Sequence, residues 1–83
     1  MSSYRTIDST IDGVIEKVLI REGMFVHEWE PLFLIRTMNG SQQKIEIGVS
    51  GEIGIVKVLE GEPVCLNMTL AILKEDTLPT GCD

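Results

Sequence analysis

The chain is poor in the features that announce most activities. It has two cysteines, Cys65 and Cys82, in 83 residues. That is too few for a disulfide framework, and two thiols in a reducing compartment is the plainer reading. Aromatic residues are scarce, with one Trp, one Tyr and two Phe. Cations are outnumbered, 7 against 13 acidic residues, for a net charge of −6. The basic residues Arg5, Lys17, Arg21, Arg36, Lys44, Lys57 and Lys74 are scattered singly. Nucleic acid and anionic membrane are therefore not expected partners, because phosphate binding needs clustered Lys and Arg. The apolar runs are a few residues long, whereas a membrane span takes about 20. No secretory leader is legible in Met1-Ser2-Ser3-Tyr4-Arg5, so a cytoplasmic setting is expected.

Hydrophobic residues make up 43% of the chain, which argues for one small globular domain and against disorder. The strongest pattern is internal. Shifting the sequence by 38 residues superposes Gly13, Ile15, Val18, Glu22, Gly23, Val26 and Leu32 on Gly51, Ile53, Val56, Glu60, Gly61, Val64 and Leu70. These are seven identities in the 24 pairs from Asp12 to Ile35, without a gap. Two copies are too few for a solenoid, so two halves about a pseudo-twofold axis are expected.

Each half has the same order of signals. A Val/Ile-rich strand is predicted over Val14–Ile20 and again over Glu52–Val58, as a pleated surface favours. A Glu-Gly turn follows, then a short loop and a second apolar strand, Leu32–Ile35 and Leu70–Leu73. Lys44–Val49 alternates with period two and reads as a half-buried strand, with Ile7–Ile11 its counterpart. No segment has sustained helical spacing. Thr77–Asp83, with Pro79 and Gly81, is expected to be a flexible tail after a domain spanning 1–76. Asn39-Gly40 lies between the halves, and Asn-Gly is a strong signal for a two-residue type I′ hairpin. Such a turn would set Leu34 opposite Ile45.

Two copies of Gly-x-Ile-x-x-Val-x-x-x-Glu-Gly-x-x-Val, each followed by an apolar strand and joined by a hairpin, resemble the biotinyl/lipoyl attachment domain family. The resemblance covers Ile7 to Lys74. It implies an all-β barrel-sandwich hybrid, a flattened barrel of two four-stranded sheets with the attachment hairpin at the end remote from the termini. In that family the hairpin carries a lysine that a ligase joins to biotin or lipoate. Here the matching position, counted from Pro31-Leu32, is Asn39, between Met38 and Gly40. An amide side chain has no nucleophilic amine, so no cofactor is expected there. Lys44 is the nearest lysine and lies outside any matching motif; biotin or lipoate at Lys44 is the alternative. The same half-motif occurs in periplasmic membrane-fusion adaptors, but their long helical insertion has no room between Ile35 and Gly51.

The resemblance thus implies a non-enzymatic domain without the modifiable lysine, acting through a protein partner, with self-association an open possibility. Met38, Asn39, Gly40 and Trp29 are the candidate interaction residues. Trp29 has a second reading, as an aromatic folded back to cap one end of the barrel, since large aromatics are mostly buried. It also stands where the family often has glycine, so the loop around it is expected to be reshaped; Asn67, its counterpart, tolerates a left-handed backbone. His27 and Cys65 are equivalent across the repeat and are expected toward opposite ends, beyond the reach a catalytic pair needs. One His and two Cys without close spacing make no expected metal site. A ligand pocket between the sheets would require a buried polar cluster.

Overall fold

The computed structural model describes residues 3–75, so the expected tail over 77–83 and Cys82 lie outside the described residues. Eight strands follow in order: β1 Ser3–Asp8, β2 Gly13–Val18, β3 Phe25–Val26, β4 Phe33–Arg36, β5 Gln42–Ile45, β6 Gly51–Val56, β7 Pro63–Val64 and β8 Thr69–Glu75. They form two antiparallel four-stranded sheets, ordered β1-β8-β6-β3 and β5-β4-β2-β7. Replacing each strand by the one four places along the chain turns one order into the other. The fold is the expected flattened barrel-sandwich, and its pseudo-twofold is the 38-residue shift.

The interior follows the same rule. Among the described residues fourteen hydrophobic ones are buried, and they fall into seven pairs 38 apart: Ile7/Ile45, Ile15/Ile53, Ile20/Val58, Val26/Val64, Leu32/Leu70, Phe33/Ala71 and Ile35/Leu73. Within the strands, burial alternates with the pleat, which is why Ile15 and Ile53 face inward while their neighbours do not. Phe33 and Ala71 are the one pair of very unequal volume. Ser9 is the only polar residue buried among those described. Its hydroxyl donates to Ile11 O at 2.5 Å, so it is satisfied locally and no polar cluster lies between the sheets.

Gly13 and Gly51 are required by packing. A Cβ on Gly13 would overlap Arg36 O, and one on Gly51 would overlap Lys74 O. Both β2 and β6 carry a register irregularity in mid-strand, between Ile15 and Lys17 and between Ile53 and Ile55. The chain then crosses from one sheet to the other through matching turns. Gly23 N donates to Ile53 O at 2.7 Å and Gly61 N to Ile15 O at 2.8 Å, with φ of 87° and 91°. Glu22 and Glu60 reach across the axis and accept from Val56 N and Val18 N at 3.3 and 3.4 Å.

The expected strands are present with shifted ends. The alternating stretch from Lys44 pairs only as far as Ile45, because Leu32 N and Trp29 N then take Ile45 O and Ile47 O, each at 2.8 Å. The strand expected over Ile7–Ile11 starts earlier, at Ser3, and stops at Asp8, where Ser9 turns the chain.

Candidate functional site

Strands β4 and β5 pair as Phe33↔Ile45, Leu34↔Lys44, Ile35↔Gln43 and Arg36↔Gln42. This corrects the expected two-residue turn, which would have set Leu34 opposite Ile45. Thr37 and Ser41 instead flank a three-residue loop, Met38-Asn39-Gly40. Gly40 N donates to Thr37 O at 3.0 Å and Thr37 N to Ser41 O at 2.8 Å. Only Gly40 of the Asn-Gly pair takes a positive φ, 88°, as a type I turn closed by a left-handed glycine requires. The reason lies in the side chains. Asn39 Oδ1 accepts from Ser41 N at 3.2 Å and from the Thr37 hydroxyl, and Ser41 N also lies 3.1 Å from Thr37 Oγ1. These bonds hold Asn39 in the ordinary backbone region and leave the left-handed position to Gly40.

The loop is displayed rather than packed. Met38 is 98% exposed, and Asn39 and Gly40 are exposed. Its base is braced on the outer face of the sheet. Glu16 accepts from Arg36 Nη2 at 2.5 Å and from Gln42 Nε2 at 2.8 Å, which ties β2, β4 and β5 together just below the tip. The bond from Gln42 first, and that from Arg36 second, holds the Glu16 carboxyl below its ordinary pKa. Beside the tip, Met38, Val14, Pro63 and Val64 line a hollow of about 340 Å³, with Arg36 at its edge.

No lysine occurs between Thr37 and Ser41. Lys44 lies within β5, opposite Leu34, and its Nζ stands 3.7 Å from Glu46 Oε2. It belongs to the flank of the sheet and not to the turn.

Trp29 and the hairpin tip are not brought together. The loop holding Trp29 leads into the start of β4, while the tip follows its end, so the two candidates lie at opposite ends of the β4–β5 ladder. Nor is the Trp29 loop reshaped. Trp29 has φ 61° and its N–H donates to Ile47 O at 2.8 Å, just as Asn67, φ 70°, donates to Ser9 O at 2.8 Å. The backbone bond sets the left-handed conformation regardless of the side chain. The expected burial is also corrected: Trp29 is 64% exposed. One edge of its ring lies on Gly48, where a Cβ would come within 2.8 Å of it, so the indole covers a glycine and leaves the rest to solvent.

His27 belongs to this same loop and stacks edge-on against Phe25, with ring centroids 5.2 Å apart. Cys65 belongs to the loop at the other end, where Leu66 N donates to Asp12 Oδ1 at 2.7 Å. They cannot meet as an acid–base pair. Among the described residues no three His, Cys, Asp or Glu side chains cluster as metal ligands. No helix there is long and apolar enough to cross a membrane. Sequence reasoning missed Glu16 and Gln42, which lie on β2 and β5 to either side of β4; only the strand order and register bring them together.

No family model matches the chain, and no curated protein matches it. Solved structures do. A single-chain, multi-domain long-chain acyl-CoA carboxylase aligns with TM-score 0.82 and 18% identity over 89% of this chain. The urea carboxylase of Kluyveromyces lactis aligns with TM-score 0.77 and 17% identity over 86%. The likeness is one of fold. The chain spans 7% and 6% of the lengths of those proteins, so what it resembles is one small segment of each.

Proposed function

We propose that this chain is a carrier-type barrel that has left carrier chemistry and serves as a non-enzymatic interaction or assembly module. The observation that carries this reading is the tip: a braced, fully displayed hairpin that holds Asn39 where the resemblance expects a lysine. The neutral side-chain carboxamide is not an amine and does not attack an activated cofactor carboxyl from solution, so the carrier bond cannot form at Asn39. What the tip retains is position, since a loop on a rigid scaffold is a common place for recognition.

The contact surface in this reading is Met38, Asn39 and Gly40 together with the apolar hollow beside Met38. Trp29, at the far end, offers a second contact of the kind that dominates interfaces. The partner is a polypeptide, and the structural neighbours, being segments of large carboxylase chains, support a catalytic subunit as its type. A cytoplasmic setting and descent of the two halves from one duplicated unit belong to the same proposal. The test is intact mass after co-expression with biotin ligase, and separately with lipoate ligase, each with its cofactor supplied. The bare-chain mass is expected in both. Addition of one cofactor, mapped to Lys44, would instead make the protein an unorthodox carrier.

A further inference from the structure

We propose that Asn39 is a site of self-modification, where the Gly40 backbone nitrogen attacks the Asn39 side-chain amide and converts it, through a cyclic imide, to aspartate or isoaspartate. The chain has two asparagines, Asn39 and Asn67, and the hairpin sets up the reaction at the first only.

Three features of the tip favour it. The attacking nitrogen belongs to a glycine, and nothing lies within 4 Å of where a Cβ on Gly40 would stand. No side chain therefore crowds the ring that must form, and the exposed loop admits the water and hydroxide the reaction consumes. At Asn67 the following residue is Met68, whose branch at Cα hinders the same closure. The second feature is orientation. With Oδ1 bonded to Ser41 N at 3.2 Å, the Asn39 side chain is folded forward along the main chain past Gly40 and does not extend away from it. The third is electrostatic. Oδ1 accepts from both the Ser41 N–H and the Thr37 hydroxyl, and it is the atom on which negative charge builds as Cγ becomes tetrahedral. The Gly40 N–H is bonded to Thr37 O at 3.0 Å, so attack waits for that one turn bond to open while the contacts to Oδ1 persist.

The step balances without oxidant or cofactor. Gly40 N gives up its proton to solvent base and bonds to Cγ. The Cγ–Nδ2 bond breaks and nitrogen leaves as ammonia, taking a proton. Water then opens the five-membered imide at either carbonyl. Opening at Cγ gives aspartate, and opening at the backbone carbonyl gives isoaspartate, which inserts a methylene into the main chain at the tip. Either product adds a negative charge beside Met38.

The native full chain, held in mildly alkaline buffer, tests this by intact mass, peptide mapping and labelling by an isoaspartyl methyltransferase. The expected result is a gain of about one dalton at Asn39, with Asn67 intact, and faster in the folded protein than in urea. Thr37→Val removes one donor to Oδ1 together with the Ser41 N contact to Thr37 Oγ1, and is expected to slow the reaction by roughly threefold to tenfold in a chain that still melts cooperatively. A folded-state rate equal to or below the unfolded rate would overturn the proposal. So would Thr37→Val reacting at the wild-type rate.

Discussion

The two halves of this barrel are nearly interchangeable inside and quite different outside. Among the described residues every buried hydrophobic one has its partner 38 positions away, and the crossing turns repeat to within about a tenth of an ångström in their glycine bonds. On the surface the matching positions diverge. Glu16, which braces the hairpin, corresponds to Gly54; Trp29 corresponds to Asn67; and the hairpin itself corresponds to the Ser3–Glu75 end of the β1–β8 ladder. Packing constrains both halves alike, because a pseudo-twofold barrel needs the same volume and the same close approaches on each side. What only one half has is therefore the place to look for a role, and the braced tip is the chief example.

The largest effect should come from the shared interior. Gly13→Ala and Gly51→Ala each force a Cβ into a backbone oxygen of the neighbouring strand. Each is expected to lose roughly 3 kcal/mol, a large part of what so small a domain has. Urea unfolding checks this, and unequal losses would break the equivalence of the halves. At the hairpin, Gly40→Val meets open space but a disfavoured φ of 88°, and a loss of about 1 kcal/mol is expected. An unchanged midpoint would mean that the turn is not held in that conformation.

The smaller effects probe positions where the halves differ. Trp29→Asn copies the second loop into the first, exchanging a strained indole for a residue that tolerates left-handed backbone. A gain of about 0.5 kcal/mol is expected, whereas a clear loss would show that the ring on Gly48 holds the loop. Glu16→Gln concerns acid stability. The Glu16 pKa lies below the ordinary 4.5 in the folded chain, so its contribution is present above that value and fades as pH falls through the folded pKa. The variant should lose slightly less stability than wild type on acidification through that range, by thermal melts at stepped pH. An identical pH profile would mean that the bonds from Gln42 and Arg36 do not persist in solution.

Much of this arrangement was legible in the residues. The 38-residue spacing exposed the two halves, the Val/Ile-rich stretches located β2 and β6, and the apolar run Leu70–Leu73 located the interior of β8. The tip was legible as a hairpin but not as a turn type. Asn39-Gly40 suits a type I′ turn locally, and bonds from Thr37 and Ser41, flanking the pair, decide otherwise. Trp29 misled for the opposite reason. Its intrinsic preference argued against a left-handed backbone, and a tertiary hydrogen bond to Ile47 O overrode it. The Glu16–Arg36–Gln42 brace depends on strand register, which a slip of one residue would have hidden.

The most direct test of the central claim is to restore the amine. Asn39→Lys and the wild-type chain, each co-expressed with biotin ligase and supplied with biotin, would be weighed intact. The expected result is one biotin on Asn39→Lys and none on wild type, which would mean that the barrel presents its tip as a carrier does and lacks only the nucleophile. Biotin on the wild-type chain, or an unmodified Asn39→Lys that is nonetheless folded, would contradict the account.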